Sequence, residues 1–159
     1  MKKTAKIISL SKLKRNPEFL INKNIVLVGG CFDILHYGHL RFLEKAKQRG
    51  DFLIILLESD EFIKKYKNRV SIHNQDERAQ ILASLDMVDL VVKLPFLNSD
   101  NDYFEIVKLI KPKVIAITKG DKQLKNKQKQ ALMIGAKVKI VTPLLKKFST
   151  TKIAQFFKL

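Results

Sequence analysis

Six apolar residues in unbroken succession, Phe52-Leu53-Ile54-Ile55-Leu56-Leu57, lie between Asp51 and Glu58 and leave this chain few ways to fold. Successive side chains of a strand point to opposite faces, so a strand with one wet face alternates apolar and polar residues, whereas an unbroken run marks a strand covered on both. The run is short for a buried helix and has the length of a strand. Whatever else the chain does, it must supply helices above and below a sheet.

The rest of the chain has the elements to do so. Ile25-Val26-Leu27-Val28-Gly29-Gly30 is a second strand, and residues 90–92, 114–117 and 138–141 are three shorter ones. Helix-period segments fall between them over residues 38–49, 60–66, 102–110 and 123–134, and a last one spans Thr150–Phe157. On the first of these helices Leu40, Leu43 and Ala46 share one face, and Gly50 stops it. Asn74 with Glu77 three residues on has the spacing of a capping box for a helix running to about residue 85. A helical stretch near residues 11–21, interrupted by Pro17, precedes the first strand. Strands alternating with helices at this spacing predict right-handed crossovers and an α/β, Rossmann-like three-layer sandwich around a central, mostly parallel five-stranded sheet. At 159 residues the chain suits a single domain, with residues 1–24 as an N-terminal extension and 25–159 as the core.

Composition narrows the setting. An apolar fraction of 46% with 29% charged residues describes a globular chain. No apolar run approaches the ~20 residues that span a bilayer. The basic start soon meets Lys12, Lys14 and Arg15, which speaks against a secretory signal. One cysteine permits no internal disulfide, so a reducing cytoplasm is the expected compartment. The balance of 31 basic against 15 acidic residues, a formal +16, would also suit a nucleic-acid binder. Against that, the lysines are spread along the chain and the aromatics sit at core spacing, with no stacking platform, so no specific nucleic acid and no membrane partner is expected.

The chemistry points to His36-Tyr37-Gly38-His39, where the first strand hands over to a helix. Backbone N–H groups and the positive end of a helix already favour an anion there. Two imidazoles at i, i+3 can donate to phosphate oxygens as charge builds in a transition state, and Gly38 lets a phosphate approach the backbone. The same pair could be half of a metal site or two ordinary polar residues. The chain has one other histidine, His73, and its lone cysteine is Cys31, so a protein metal site fits less well. The loop lacks both Gly-x-Gly-x-x-Gly and Gly-x-x-x-x-Gly-Lys-Ser/Thr, which disfavours dinucleotide and P-loop chemistry.

The stretch from Gly29 to Leu40, Gly-Gly-Cys-Phe-Asp-Ile-Leu-His-Tyr-Gly-His-Leu, resembles the signature of the nucleotidyltransferase superfamily that contains glycerol-3-phosphate cytidylyltransferase, the heptose-phosphate adenylyltransferases and archaeal FAD synthases. Four further segments resemble that family in its order. Residues 64–69 match its mobile basic segment, which implies Lys64 and Lys67 at the triphosphate, although a solvated helix end reads the same way. Asn74-Gln75-Asp76-Glu77-Arg78 resembles its Glu-Arg pair and implies Arg78 at the acceptor's phosphate; a structural arginine paired with Asp76 or Asp89 is the alternative. Thr118-Lys119-Gly120-Asp121 is similar to its Gly-Asp turn beside the base. Phe148-Ser149-Thr150-Thr151-Lys152-Ile153 is similar to its Ser-Thr-Thr-x-Ile segment, where hydroxyls cap a helix by default and also make a phosphate cradle. Where cytidylyltransferases carry Arg-Thr-Glu-Gly, this chain reads Leu144-Leu145-Lys146-Lys147.

The resemblance implies His36, His39, Lys64 and Lys67 as catalytic residues and Gly30, Cys31, Phe32, Asp33, Gly38, Lys119, Gly120, Asp121, Ser149, Thr150 and Thr151 as nucleotide-binding ones. It implies a nucleoside triphosphate bound as its Mg²⁺ complex, attack on the α-phosphorus by the phosphate of a second substrate, and loss of pyrophosphate. Adenylyl transfer to a sugar phosphate is the reading taken. CTP with glycerol phosphate or choline phosphate, and ATP with FMN, stand beside it. A basic nucleotide- or RNA-binding protein without turnover is the reading from a different class. Family members often dimerise, which leaves a homodimer open.

Overall fold

The computed structural model describes residues 6–143 and 149–157, apart from the side chain of Thr151. Its sheet is built from β1 (Ile7–Ser9), β2 (Ile25–Gly30), β3 (Phe52–Leu57), β4 (Leu90–Lys93), β5 (Val114–Thr118) and β6 (Lys137–Thr142). The helices are α1 (Leu10–Arg15), α2 (Tyr37–Lys47), α3 (Asp60–Lys67), α4 (Gln75–Ala83), α5 (Asp100–Ile110), α6 (Leu124–Met133) and α7 (Thr150–Phe157), with a short 3-10 turn at Glu18–Leu20.

The strand order is β1-β4-β3-β2-β5-β6 and every neighbouring pair is parallel. The sheet is therefore Rossmann-like, with six strands where five were expected. The added strand is β1, which pairs Ile7 with Val91 and Ile8 with Val92 at the sheet's edge. Three residues are too few to display a period, so hydrophobic patterning passes over them. Residues of the N-terminal extension are built into the same core, since Ile8, Leu10, Leu13 and Leu20 are buried against β4 and α5 neighbours.

β3 fulfils the expectation drawn from its six apolar residues. Ile54 and Leu56 face one core with Leu13, Ile106 and Ile110, while Leu53, Ile55 and Leu57 face the other with Leu43, Ala46, Ala79 and Leu82. Helices α1, α5 and α6 thus cover one face, and α2 and α4 the other. Each fully buried Leu or Ile contributes about 1.5–3 kcal/mol of burial free energy, and two such layers hold the sheet rigid between them.

Local signals explain the joins. α4 opens with the expected capping box, the Asn74 side chain accepting from Glu77 N–H and Glu77 accepting from Asn74 N–H. A second capping box, Ser99 with Asp102, opens α5 two residues earlier than expected. At Gly50 a Cβ would collide with the Asn24 carbonyl and Val26, so only glycine lets the chain turn from α2 into β3 here.

The topology fixes where a ligand can sit. The chain runs outward from β2 through β3 to β4, then returns to the other side of β2 for β5. Loops leaving β2 and β5 diverge to opposite faces, which opens a crevice at their carboxyl ends. His36 follows β2 and Gly120 follows β5, so both motifs lie at that crevice.

Candidate active site

The loop from β2 to α2 is shaped by one strained residue and one glycine. Phe32 has φ 46°, the left-handed region, and its ring lies where a Cβ on Gly30 would come within 2.9 Å of it. Gly30 thus makes room for the Phe32 ring, which in turn packs on the His39 ring with centroids 5.1 Å apart. His36 is the N-cap of α2, and its Nδ1 accepts from His39 N–H at 3.4 Å. That bond fixes the tautomer, leaving His36 Nε2–H to donate to a ligand.

The two imidazoles stack, with centroids 3.8 Å apart and planes 19° from parallel. Burial lowers the pKa of both; for His39, burial and the neighbouring His36 bring it down to about 4. Both rings are therefore neutral near pH 7. His39 Nδ1 is buried without a hydrogen-bond partner among the described residues. The Ile34 backbone acts on the same ring, raising its pKa against burial and His36, so the loop itself holds the imidazole in place.

The chain's far end closes on this loop. Ser149 caps α7, its side chain accepting from Lys152 N–H at 3.2 Å, and the Thr150 hydroxyl donates to Ile34 C=O at 3.4 Å across 116 positions of sequence. The start of α7 is thereby tied to Ile34, two residues before His36. The side chain of Thr151, as well as Leu144 to Phe148, lies outside the described residues.

Two other expected residues, Asp33 and Arg78, are engaged by the protein itself. Asp33 is 1% exposed and accepts from the Arg69 guanidinium and from the backbone N–H groups of Ile72 (2.9 Å) and His73 (3.2 Å). It clasps the 69–73 loop and has little capacity left for a nucleotide. Arg78, expected at the acceptor phosphate, is fully buried at 0% exposure. Its guanidinium donates to Cys31 C=O (2.5 Å), Glu58 C=O (2.9 Å), His73 C=O (3.1 Å) and Asp60 Oδ1 (2.6 Å). The fork that would have gripped a phosphate holds four stretches of chain together instead. Its carboxylate partner is neither Asp76, which pairs with Lys93, nor Asp89, which pairs with Lys47.

Lys64 and Lys67 are exposed on the last turns of α3, and Lys67 lies close enough to Cys31 to act on its thiol. Asn68, in the left-handed region at φ 51°, ends the helix. Burial pushes the Cys31 thiol up to about 11, so it is protonated and no nucleophile. On the far side of the crevice Gly120 has φ 84° and open space around it, whereas Asp121 accepts from Gln123 N–H (2.7 Å) and Lys127 Nζ (2.7 Å) at the start of α6.

Sequence reasoning missed Glu58. It directly follows β3, is 8% exposed, and takes hydrogen bonds from the Tyr103 hydroxyl on α5 at 3.0 and 3.1 Å. A charged residue at the end of an apolar strand was the one available signal, and its partner lies 45 positions away.

A neutral histidine pair at a helix N-terminus lies at the switch point of a parallel, Rossmann-like sheet, the architecture of nucleotidyltransferase-type folds. Residues 27–156 match the family described as cytidylyltransferase-like, and the chain belongs to that family. FAD synthase of Pyrococcus abyssi is 37% identical over 136 residues, 84% of this chain and 89% of that protein. Bifunctional protein HldE of Aliarcobacter butzleri is 48% identical over 96 residues, 60% of this chain but 19% of that protein. HldE of Campylobacter jejuni is 34% identical over 156 residues, 92% of this chain and 32% of that protein, so this chain spans a third or less of the HldE relatives. Among solved structures, the lipopolysaccharide core biosynthesis protein of Thermoplasma volcanium superposes with a TM-score of 0.62 at 26% identity, over 76% of this chain and 95% of that one. Among the described residues no helix is long and apolar enough to cross a membrane.

Proposed function

We propose that this chain transfers a nucleoside monophosphate, AMP from ATP, to the phosphate of a small molecule, a sugar 1-phosphate, and releases pyrophosphate. The stacked, neutral pair His36 and His39 at the N-terminus of α2 carries this reading. An oxygen of the acceptor's phosphate forms a bond to the α-phosphorus while the bond from that phosphorus to the bridging oxygen breaks, and pyrophosphate leaves with the electron pair. His36 Nε2–H, the His39 ring and the first N–H groups of α2 donate to the α-phosphoryl oxygens as their charge grows. Ser149, Thr150 and the α7 N-terminus hold the nucleotide's phosphates, and Lys64 and Lys67 follow charge onto the departing pyrophosphate. Positioning and charge stabilisation supply the rate, so no protein nucleophile is needed.

Mg²⁺ prefers oxygen donors. Among the described residues no three His, Cys, Asp or Glu side chains gather in a way that could hold a metal ion, so the triphosphate's own oxygens are its fitting donors. When bound it offsets phosphate charge. The single cysteine supports a reducing, cytoplasmic setting.

ATP with FMN is the second reading, favoured by the FAD synthase of Pyrococcus abyssi matching over 89% of its own length. Calorimetric titration of ATP and of CTP, each with Mg²⁺ at moderate salt, separates the nucleotides. The account expects ATP to bind preferentially; preference for CTP would move the reading to a cytidylyltransferase. Equal weak binding that vanishes with added salt would point to a basic polyanion binder.

A further inference from the structure

Glu58 is the feature that the transfer mechanism leaves without a task. Its carboxylate is nearly closed off from water, and among the described residues one hydroxyl, that of Tyr103, serves both of its oxygens, at 3.0 and 3.1 Å. A hydroxyl gives one hydrogen, whereas a carboxylate accepts about four hydrogen bonds. Acceptor capacity therefore remains. Burial pushes the Glu58 pKa up to about 7, against the pull of Tyr103, Arg78 and Lys127, so the charge is held at a cost that a glutamine of the same shape would avoid. A buried carboxylate with a perturbed pKa and spare acceptor capacity beside a strand's carboxyl end is a candidate for a functional role.

Its place in the fold says what it faces. Glu58 follows β3 next to the crevice, its N–H donating to Gly30 C=O at 3.1 Å. Ile54 and Leu56 belong to the core under α5 and α6, and Glu58 continues that alternation toward Tyr103 of α5. The histidine loop runs the other way, into α2 on the opposite face. The crevice thus has two lips, one with His36 and His39 and one with Glu58 and Tyr103. An in-line displacement brings the acceptor in opposite the leaving group. With the triphosphate on the histidine lip, the body of the acceptor falls to the other.

We propose that Glu58, oriented by Tyr103, recognises the acceptor, and that it selects phosphate esters carrying free hydroxyls. The inference rests on the transfer reaction proposed above. The site carries both signs of charge. The carboxylate offsets the pull of Arg78 and Lys127 on a second phosphate. Those cations, with Lys67 beside Cys31, offset the carboxylate's pull on an ammonium, so neither charged group is favoured. A neutral hydroxyl meets neither opposition and supplies the donor that the carboxylate lacks.

The test compares the wild type with Glu58→Gln and Tyr103→Phe in a pyrophosphate-release assay. The acceptors are mannose 1-phosphate, glycerol 3-phosphate and FMN, which bear hydroxyls, and phosphocholine and phosphoethanolamine, which do not. The expected result is turnover with a hydroxyl-bearing acceptor and none with the two amines. Glu58→Gln, which keeps the Tyr103 hydrogen bond and the side chain's volume, should raise the acceptor KM by about tenfold or more, the loss of one hydrogen bond to a charged group, with the ATP KM unchanged within about twofold. Tyr103→Phe should move the acceptor KM in the same direction. Unchanged acceptor kinetics in Glu58→Gln, or turnover of phosphocholine equal to that of the hydroxyl-bearing acceptors, would overturn this inference and leave the transfer reaction standing. Pyrophosphate release with none of the five would overturn the transfer reaction and this inference with it.

Discussion

At the scale of single residues, two buried groups pull the pH dependence of the fold in opposite directions. His39 is held near pKa 4 by burial, below the 6.5 of a free imidazole, so the unfolded chain binds the extra proton more readily. The fold therefore loses stability as the pH falls from about 6.5 toward 4. Glu58 is raised from 4.5 to about 7, so here the folded chain binds the extra proton, and stability falls as the pH rises through that window. The second effect is on the order of 3 kcal/mol and is complete above about pH 7. Thermal midpoints at about pH 5 and pH 8 separate the two. Glu58→Gln should gain on the wild type at the higher pH, and His39→Gln should gain at the lower; a pH-independent difference in both variants would contradict these assignments. His36 and His39 were legible in the sequence because the whole motif is contiguous. Glu58 was not, because what singles it out is Tyr103, whose approach depends on how α5 packs on β3.

Among the elements, the loops around the crevice are braced by residues that the sequence pointed to for another reason. Arg78 on α4 joins the loop after β2, the end of β3, the start of α3 and the segment before α4. Removing a buried cation leaves Asp60 and three carbonyls without their donor. Arg78→Ala should cost about 3–5 kcal/mol in urea unfolding, and Arg78→Lys should recover only part of it, since one ammonium cannot span four acceptors. Equal stability of Arg78→Ala and wild type would refute the bracing role. Asp33→Asn should loosen the 69–73 loop, read as faster amide exchange at Ile72 and His73, with a smaller global loss. The family motif marked Asp33 and Arg78 as special without saying why; their partners come from segments far apart in the chain, which periodicity does not connect. β1 escaped notice for a simpler reason, being three residues long and paired at an edge. The buried strand β3, the capping box of α4 and the helix at Thr150–Phe157 were legible because each is a local signal.

Over the whole molecule, the alternation of strands and helices fixed one sheet and one switch point, and the crevice there gathers residues from β2, β5 and α7 that span most of the chain. The formal charge of +16 adds a long-range attraction for a polyphosphate substrate. Raising the salt should therefore increase the KM for ATP while leaving kcat nearly unchanged, because screening acts on the approach more than on groups packed in the site. A fall in kcat parallel to the rise in KM would place the surface charge in the chemical step. The central claim is that the histidine pair carries catalysis. The measurement that tests it most directly is pyrophosphate release by His39→Ala, with far-UV circular dichroism confirming the fold. A loss of about 10²–10³ in kcat with the fold intact is the expected result. A folded variant that releases pyrophosphate at the wild-type rate would contradict the account.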